Sequence, residues 1–121
     1  MARRKIELEQ GNAALHSCSE ALQKDQSPTR NELFTAVRFT LEELAERLPG
    51  KAVEVRVPPA GAVQILGGTT HRRGTPPAVI ECEPLVWLKL CLGLLNWDQA
   101  RSEGLLLASG ERTDLSTFLP L

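Results

Sequence analysis

The chain has 121 residues, enough for one domain that buries roughly two thirds of its unfolded surface in a single core. Its composition, 42% hydrophobic and 24% charged with a formal net charge of −1, is that of a soluble globular protein. Seven basic and eight acidic residues up to Gly50 are matched by seven of each afterwards, and five aromatics include no Tyr, so neither a basic nucleic-acid footprint nor a base-stacking platform is present.

The start, Met-Ala-Arg-Arg-Lys, resembles a signal-peptide head, but Ile-Glu-Leu-Glu-Gln-Gly-Asn follows in place of an apolar stretch, and export is not expected. Residues 7–24 form a first helix with Leu8, Leu15, Cys18 and Leu22 roughly on one stripe, weakened in the middle by Gly11 and Asn12. After a polar break, Thr29-x-x-Glu32 is a capping box that opens a second helix, its hydroxyl and carboxylate each serving an orphan amide of the first turn. Leu33, Val37, Leu41, Leu44 and Leu48 make its buried stripe, Arg38, Glu42, Glu46 and Arg47 its solvated face, and Pro49-Gly50 its stop.

Val53-Glu54-Val55-Arg56-Val57 alternates like a strand with one wet face. Residues 62–66 start a second strand, Gly67-Gly68 turns the chain, residues 69–73 double back, and residues 78–82 make another strand, an antiparallel meander. Pro84 suits the first turn of a helix over 84–92, with Gly93 as its left-handed stop. Asn96, with Gln99 three residues later, caps a short helix that Gly104 ends; residues 105–109 are a strand and 114–119 a last helical turn.

The most apolar segment, residues 84–95, is 12 residues long and contains Lys89, well short of the ~20 that span a bilayer. Trp87, Leu88, Cys91 and Leu92 share one side of its helix, while Val86 and Leu90 lie opposite. A helix apolar nearly all round is either buried on two faces or lines a cavity or partner surface. Trp97 is likewise either a core plug or a ligand contact. Three cysteines, Cys18, Cys82 and Cys91, without a C-x-x-C, read as reduced buried thiols and a cytoplasmic location.

Reactive constellations are weak. His16 and His71 have no second ligand at metal spacing, so no metal or cofactor is expected. Ser17, Cys18 and Ser19 beside His16 do not face one another on a helix. His71, Arg72 and Arg73 next to Gly74 are either an anion-binding turn or a solvated loop.

Val79-Ile80-Glu81-Cys82-Glu83, then Trp87-Leu88-Lys89-Leu90 up to Gly93, Asn96 to Ala100, Gly104 with Leu105-Leu106-Leu107-Ala108-Ser109-Gly110, and Asp114-Leu115 together resemble the sterol carrier protein family. Residues 79–119 carry the likeness best, and Val-Pro-Pro, Arg-Gly-Thr-Pro-Pro and Ala-Ser-Gly are similar to small stand-alone bacterial members. The resemblance implies an α+β fold: a five-stranded, largely antiparallel sheet covered on one side by helices, as one domain over 1–121 whose helical residues 1–50 pack on the sheet-and-helix part 51–121. It also implies non-enzymatic carriage of an apolar small molecule (lipid, acyl chain or sterol-like) between sheet and helices.

The candidate lining is Val86, Leu90, Trp97, Leu105 and Leu107. An accessory or interaction domain, meeting itself as a homodimer or another protein, is the alternative. An enzyme would need His71, Arg72 or Arg73 at a pocket mouth beside a bound anion. Phe118-Leu119-Pro120-Leu121 has neither a long helix nor a peroxisomal Ser-Lys-Leu, so a closed, sterol-sized chamber is not expected. A pocket of at least ~300 Å³, left empty and dry, would cost roughly 7 kcal/mol of a domain's ~5–15, so any such cavity is occupied, wet or collapsed.

Overall fold

The computed structural model describes residues 5–67, 78–110 and 113–121. Two helices lead, α1 (Leu8–Gln23) and α2 (Arg30–Arg47), followed by strands β1 (Val53–Val57), β2 (Gly61–Ile65) and β3 (Ala78–Cys82). Helices α3 (Pro84–Cys91) and α4 (Trp97–Ser102) and strand β4 (Leu106–Ser109) complete the order.

Local chemistry sets most of these boundaries. The Glu32 amide donates to Thr29 Oγ1 at 3.2 Å, and the Thr29 hydroxyl donates to Glu32 Oε1 at 2.7 Å, so the capping box closes side chain on side chain. That hydroxyl first, then Ser17 of α1, holds the Glu32 carboxyl below its ordinary value. Asn96 Oδ1 caps α4 by accepting from the amides of Asp98 and Gln99 at 2.8 and 3.3 Å. Gly93 and Gly104, at φ 76° and 71°, stop the two later helices in the left-handed conformation.

Among the described residues the sheet has four strands in the order β2-β1-β3-β4. Two of its pairings are antiparallel, but β1 and β3 run parallel, which corrects the expected meander. The register supplies the reason. β2 ends with Ile65 opposite Val53, and β3 begins with Ala78 opposite the same Val53. β2 thus ends and β3 begins at the same end of β1, on opposite flanks, so β3 runs the same way as β1. The fifth expected strand, residues 69–73, lies outside the described residues.

One face of the sheet makes the core. Val53, Val55, Val57, Ile65, Ile80 and Leu106 are buried, while Arg56, Gln64 and Leu107 point away and are exposed, the period-two division of a half-covered sheet. Helices α2 and α3 cover the buried face.

Helix α3 is apolar all round because it is buried twice. Trp87, Leu90 and Cys91 join the main core, whereas Leu88 packs away from it with Ala14 and Cys18 of α1 and Ala36 of α2. The expected division of this helix is thus redrawn: Leu88, not Leu90, faces the second layer. Trp87 Nε1 donates to Thr40 Oγ1 at 2.9 Å, and Thr40 donates to the Val37 carbonyl at 2.7 Å, so the polar atoms sealed under α3 are paired. Within residues 114–119 a single turn forms at 116–118, with the Phe118 amide on the Leu115 carbonyl at 2.9 Å and Leu115 fully buried.

Candidate functional site

A hollow of about 590 Å³ opens where α2 crosses β2, the outer strand among the described residues. Arg38, Leu41, Glu42 and Ala45 fall on one face of α2 at helical spacing and form its wall. Ala60 and the first residues of β2, Gly61, Ala62 and Val63, form the floor, so the helix meets a strand end almost without side chains. A Cβ placed on Gly61 would lie 3.6 Å from Leu41 and 3.7 Å from Arg38, in ordinary contact, so the missing side chain contributes directly to the open space.

The third wall is the segment before α1. Glu42 Oε2 accepts the backbone amides of Lys5 and Ile6 at 3.2 and 3.3 Å, which ties this segment across the cleft beside Gln10. Arg38 is fixed at the rim by its Nε, which donates to the Ala60 carbonyl at 2.7 Å. The cleft thus has an apolar lining of Ile6, Leu41, Ala45, Ala60 and Val63 and a charged rim of Lys5, Arg38 and Glu42.

Of the residues singled out from sequence, Val86, Leu105 and Leu107 come together, at a smaller open hollow of about 300 Å³ that they share with Pro58, Glu81 and Glu83. Leu105 and Leu107 are 41% and 69% exposed there. Leu90 and Trp97 sit elsewhere, in the main core, at 1% and 4% exposure. Trp97 Nε1 is buried without a hydrogen-bond partner among the described residues. His71, Arg72 and Arg73 lie outside the described residues.

The α2–β2 cleft itself escaped the sequence reading, because Arg38 and Glu42 look like a solvated helix face. The signal that pointed to it is the run Ala60-Gly61-Ala62, three small residues at the start of a strand whose helix-facing positions elsewhere carry Val and Ile.

Of the three cysteines only Cys82 lines either hollow, and all three thiols are buried. Burial, and Glu32 after it, pushes the Cys18 thiol up to about 11. Burial followed by Glu81 and Glu83 pushes Cys82 up to about 12. Burial also raises Cys91, against an opposing pull from Thr40. Such thiols stay protonated and unreactive near neutral pH. Among the described residues no group of three or more His, Cys, Asp or Glu side chains is placed to hold a metal ion, and no helix is long and apolar enough to cross a membrane.

A family model described as bacterial SCP ortholog matches residues 29–121, from the cap of α2 to the last residue. No curated protein matches the chain.

Proposed function

The chain belongs to the bacterial sterol carrier protein ortholog family, and from that premise we propose that it binds an apolar small molecule without transforming it, in the cleft between α2 and β2. The observation that carries this reading is the cleft's volume of about 590 Å³, within the ~300–1,000 Å³ of small-molecule sites. Its place, where a helix lies over the sheet and the strand end is bare of large side chains, supports this reading, at a site other than the lining expected from the sequence. Both hollows are open to solvent, so water fills them and the penalty of a dry void does not arise. Water leaving the part-exposed side chains of Ile6 and Val63 would supply the driving force.

A second reading makes β4 an interaction edge. Leu105 and Leu107 are exposed, and residues 105–109 hold no charge or Pro of the kind that blunts edge strands. Native mass spectrometry of protein purified from its own host, followed by organic extraction, separates the two. A discrete apolar mass released from a monomer supports the carrier. A ligand-free dimer transfers the assignment to the β4 edge.

A further inference from the structure

We infer that the rim of the α2–β2 cleft reads the head group of its ligand and selects an apolar chain that ends in an oxyanion. This rests on the apolar-binding reading of the cleft and adds the chemistry of one end of the ligand.

The charges at the rim carry the argument. Among the described residues, the charged side chains that line the cleft are Lys5, Arg38 and Glu42, two cationic and one anionic. Glu42 is already engaged, its Oε2 accepting two backbone amides from the segment before α1 at 3.2 and 3.3 Å. The negative charge is therefore partly answered by protein dipoles, and the balance at the mouth is positive.

Arg38 is held rather than swinging free, because its Nε bond to the Ala60 carbonyl fixes the guanidinium over the floor. That bond uses one of five N–H donors, and the two terminal nitrogens hold the other four in the planar fork that matches carboxylate, phosphate or sulfate oxygens. The apolar residues Leu41, Ala45 and Val63 line the same cleft. A ligand with a charged oxygen head and an aliphatic tail satisfies both parts, whereas a neutral or cationic head gives the guanidinium no opposite charge.

Part of the site lies outside the span shared with the family. The match begins at residue 29, while Lys5, Ile6 and Gln10 line the cleft from a segment well before it. Glu42 fastens that segment in place, so head-group reading draws on residues before the matched span together with α2.

The test measures dissociation constants by calorimetry for three probes that share a tail: decanoate, decan-1-ol and decyltrimethylammonium, all below their micellar concentrations. Decanoate should bind about ten- to a hundredfold more tightly than decan-1-ol, and the cation most weakly, as one charge-assisted hydrogen-bonded pair predicts. Arg38→Gln should remove most of that preference by weakening decanoate far more than decan-1-ol. Lys5→Gln, at an exposed residue whose loss does not threaten the fold, should reduce the preference by a smaller factor.

Equal binding of all three probes would overturn the head-group assignment and leave apolar binding standing. A preference that survives in both variants would place the anion elsewhere and overturn the assignment too. If no probe binds, the apolar-binding reading fails and takes this inference with it. Decyl phosphate and decyl sulfate, run beside decanoate, then show which oxyanion fits best.

Discussion

At the scale of single residues, the position that looks weakest in the sequence has the clearest structural role. Gly11 sits within α1, where glycine is less favourable than alanine by about 1 kcal/mol. A Cβ built there would lie 2.1 to 2.5 Å from the ring of Phe39, so the glycine lets α1 approach α2 more closely than any side chain allows. Gly11→Ala therefore gains helix propensity and loses packing. Phe39 is 4% exposed and has little room to give way, so overpacking of about 1–3 kcal/mol should win. Urea denaturation should show a lower midpoint for Gly11→Ala. A higher midpoint would mean that α1 shifts outward freely and that its contact with Phe39 contributes little.

At the scale of elements, α3 decides between the two sequence readings of its apolar surface. Leu90 is 1% exposed in the main core, so Leu90→Asp would place a carboxylate among Val, Ile and Trp side chains without a partner. Truncating such a leucine already removes ~2–5 kcal/mol, and an added charge should exceed what a domain of this size holds. Far-UV circular dichroism should find Leu90→Asp unfolded and Leu107→Asp, at a 69% exposed site on β4, folded with stability within about 0.5 kcal/mol of the parent. A folded Leu90→Asp that loses only binding would put Leu90 on a wet surface. Much at this scale was legible beforehand. Thr29, Glu32 and Asn96 act locally, within a turn of their own amides, as do Gly93 and Gly104. The parallel pairing of β1 with β3 was not legible, because alternating Val53, Val55 and Val57 fit either direction and only the long-range register with Ala78 decides. The split of α3 between two layers was hidden for a similar reason: a uniformly apolar helix does not say which neighbour each side chain meets.

At the scale of the whole molecule, the layers explain why the cleft lies over β2, the outer strand among the described residues. Helices α2 and α3 seal the centre of the sheet with large side chains, and α1 packs behind them. Over the start of β2 the helix-facing position is Gly61 instead, so the layers part there and the segment before α1 closes only one side. Such a site was invisible in one dimension, since it joins residues 5–10, 35–45 and 60–63, none of which forms a motif alone. A ligand bound there stabilises the fold by mass action, about 1.4 kcal/mol at ten times its dissociation constant, or a rise of roughly 5 °C in Tm for a domain of this length. Gly61→Leu should abolish that rise. The new side chain grows from a position where a Cβ meets only ordinary contacts with Leu41 and Arg38, and it occupies the space the ligand tail would take. The ligand-free Tm should change by no more than a few degrees, because the cleft is open and the leucine replaces water. Differential scanning fluorimetry with decanoate reads both quantities at once. If the rise persists in a folded Gly61→Leu variant, the ligand sits outside the cleft, and the hollow beside Val86 and Leu105 becomes the site to fill next.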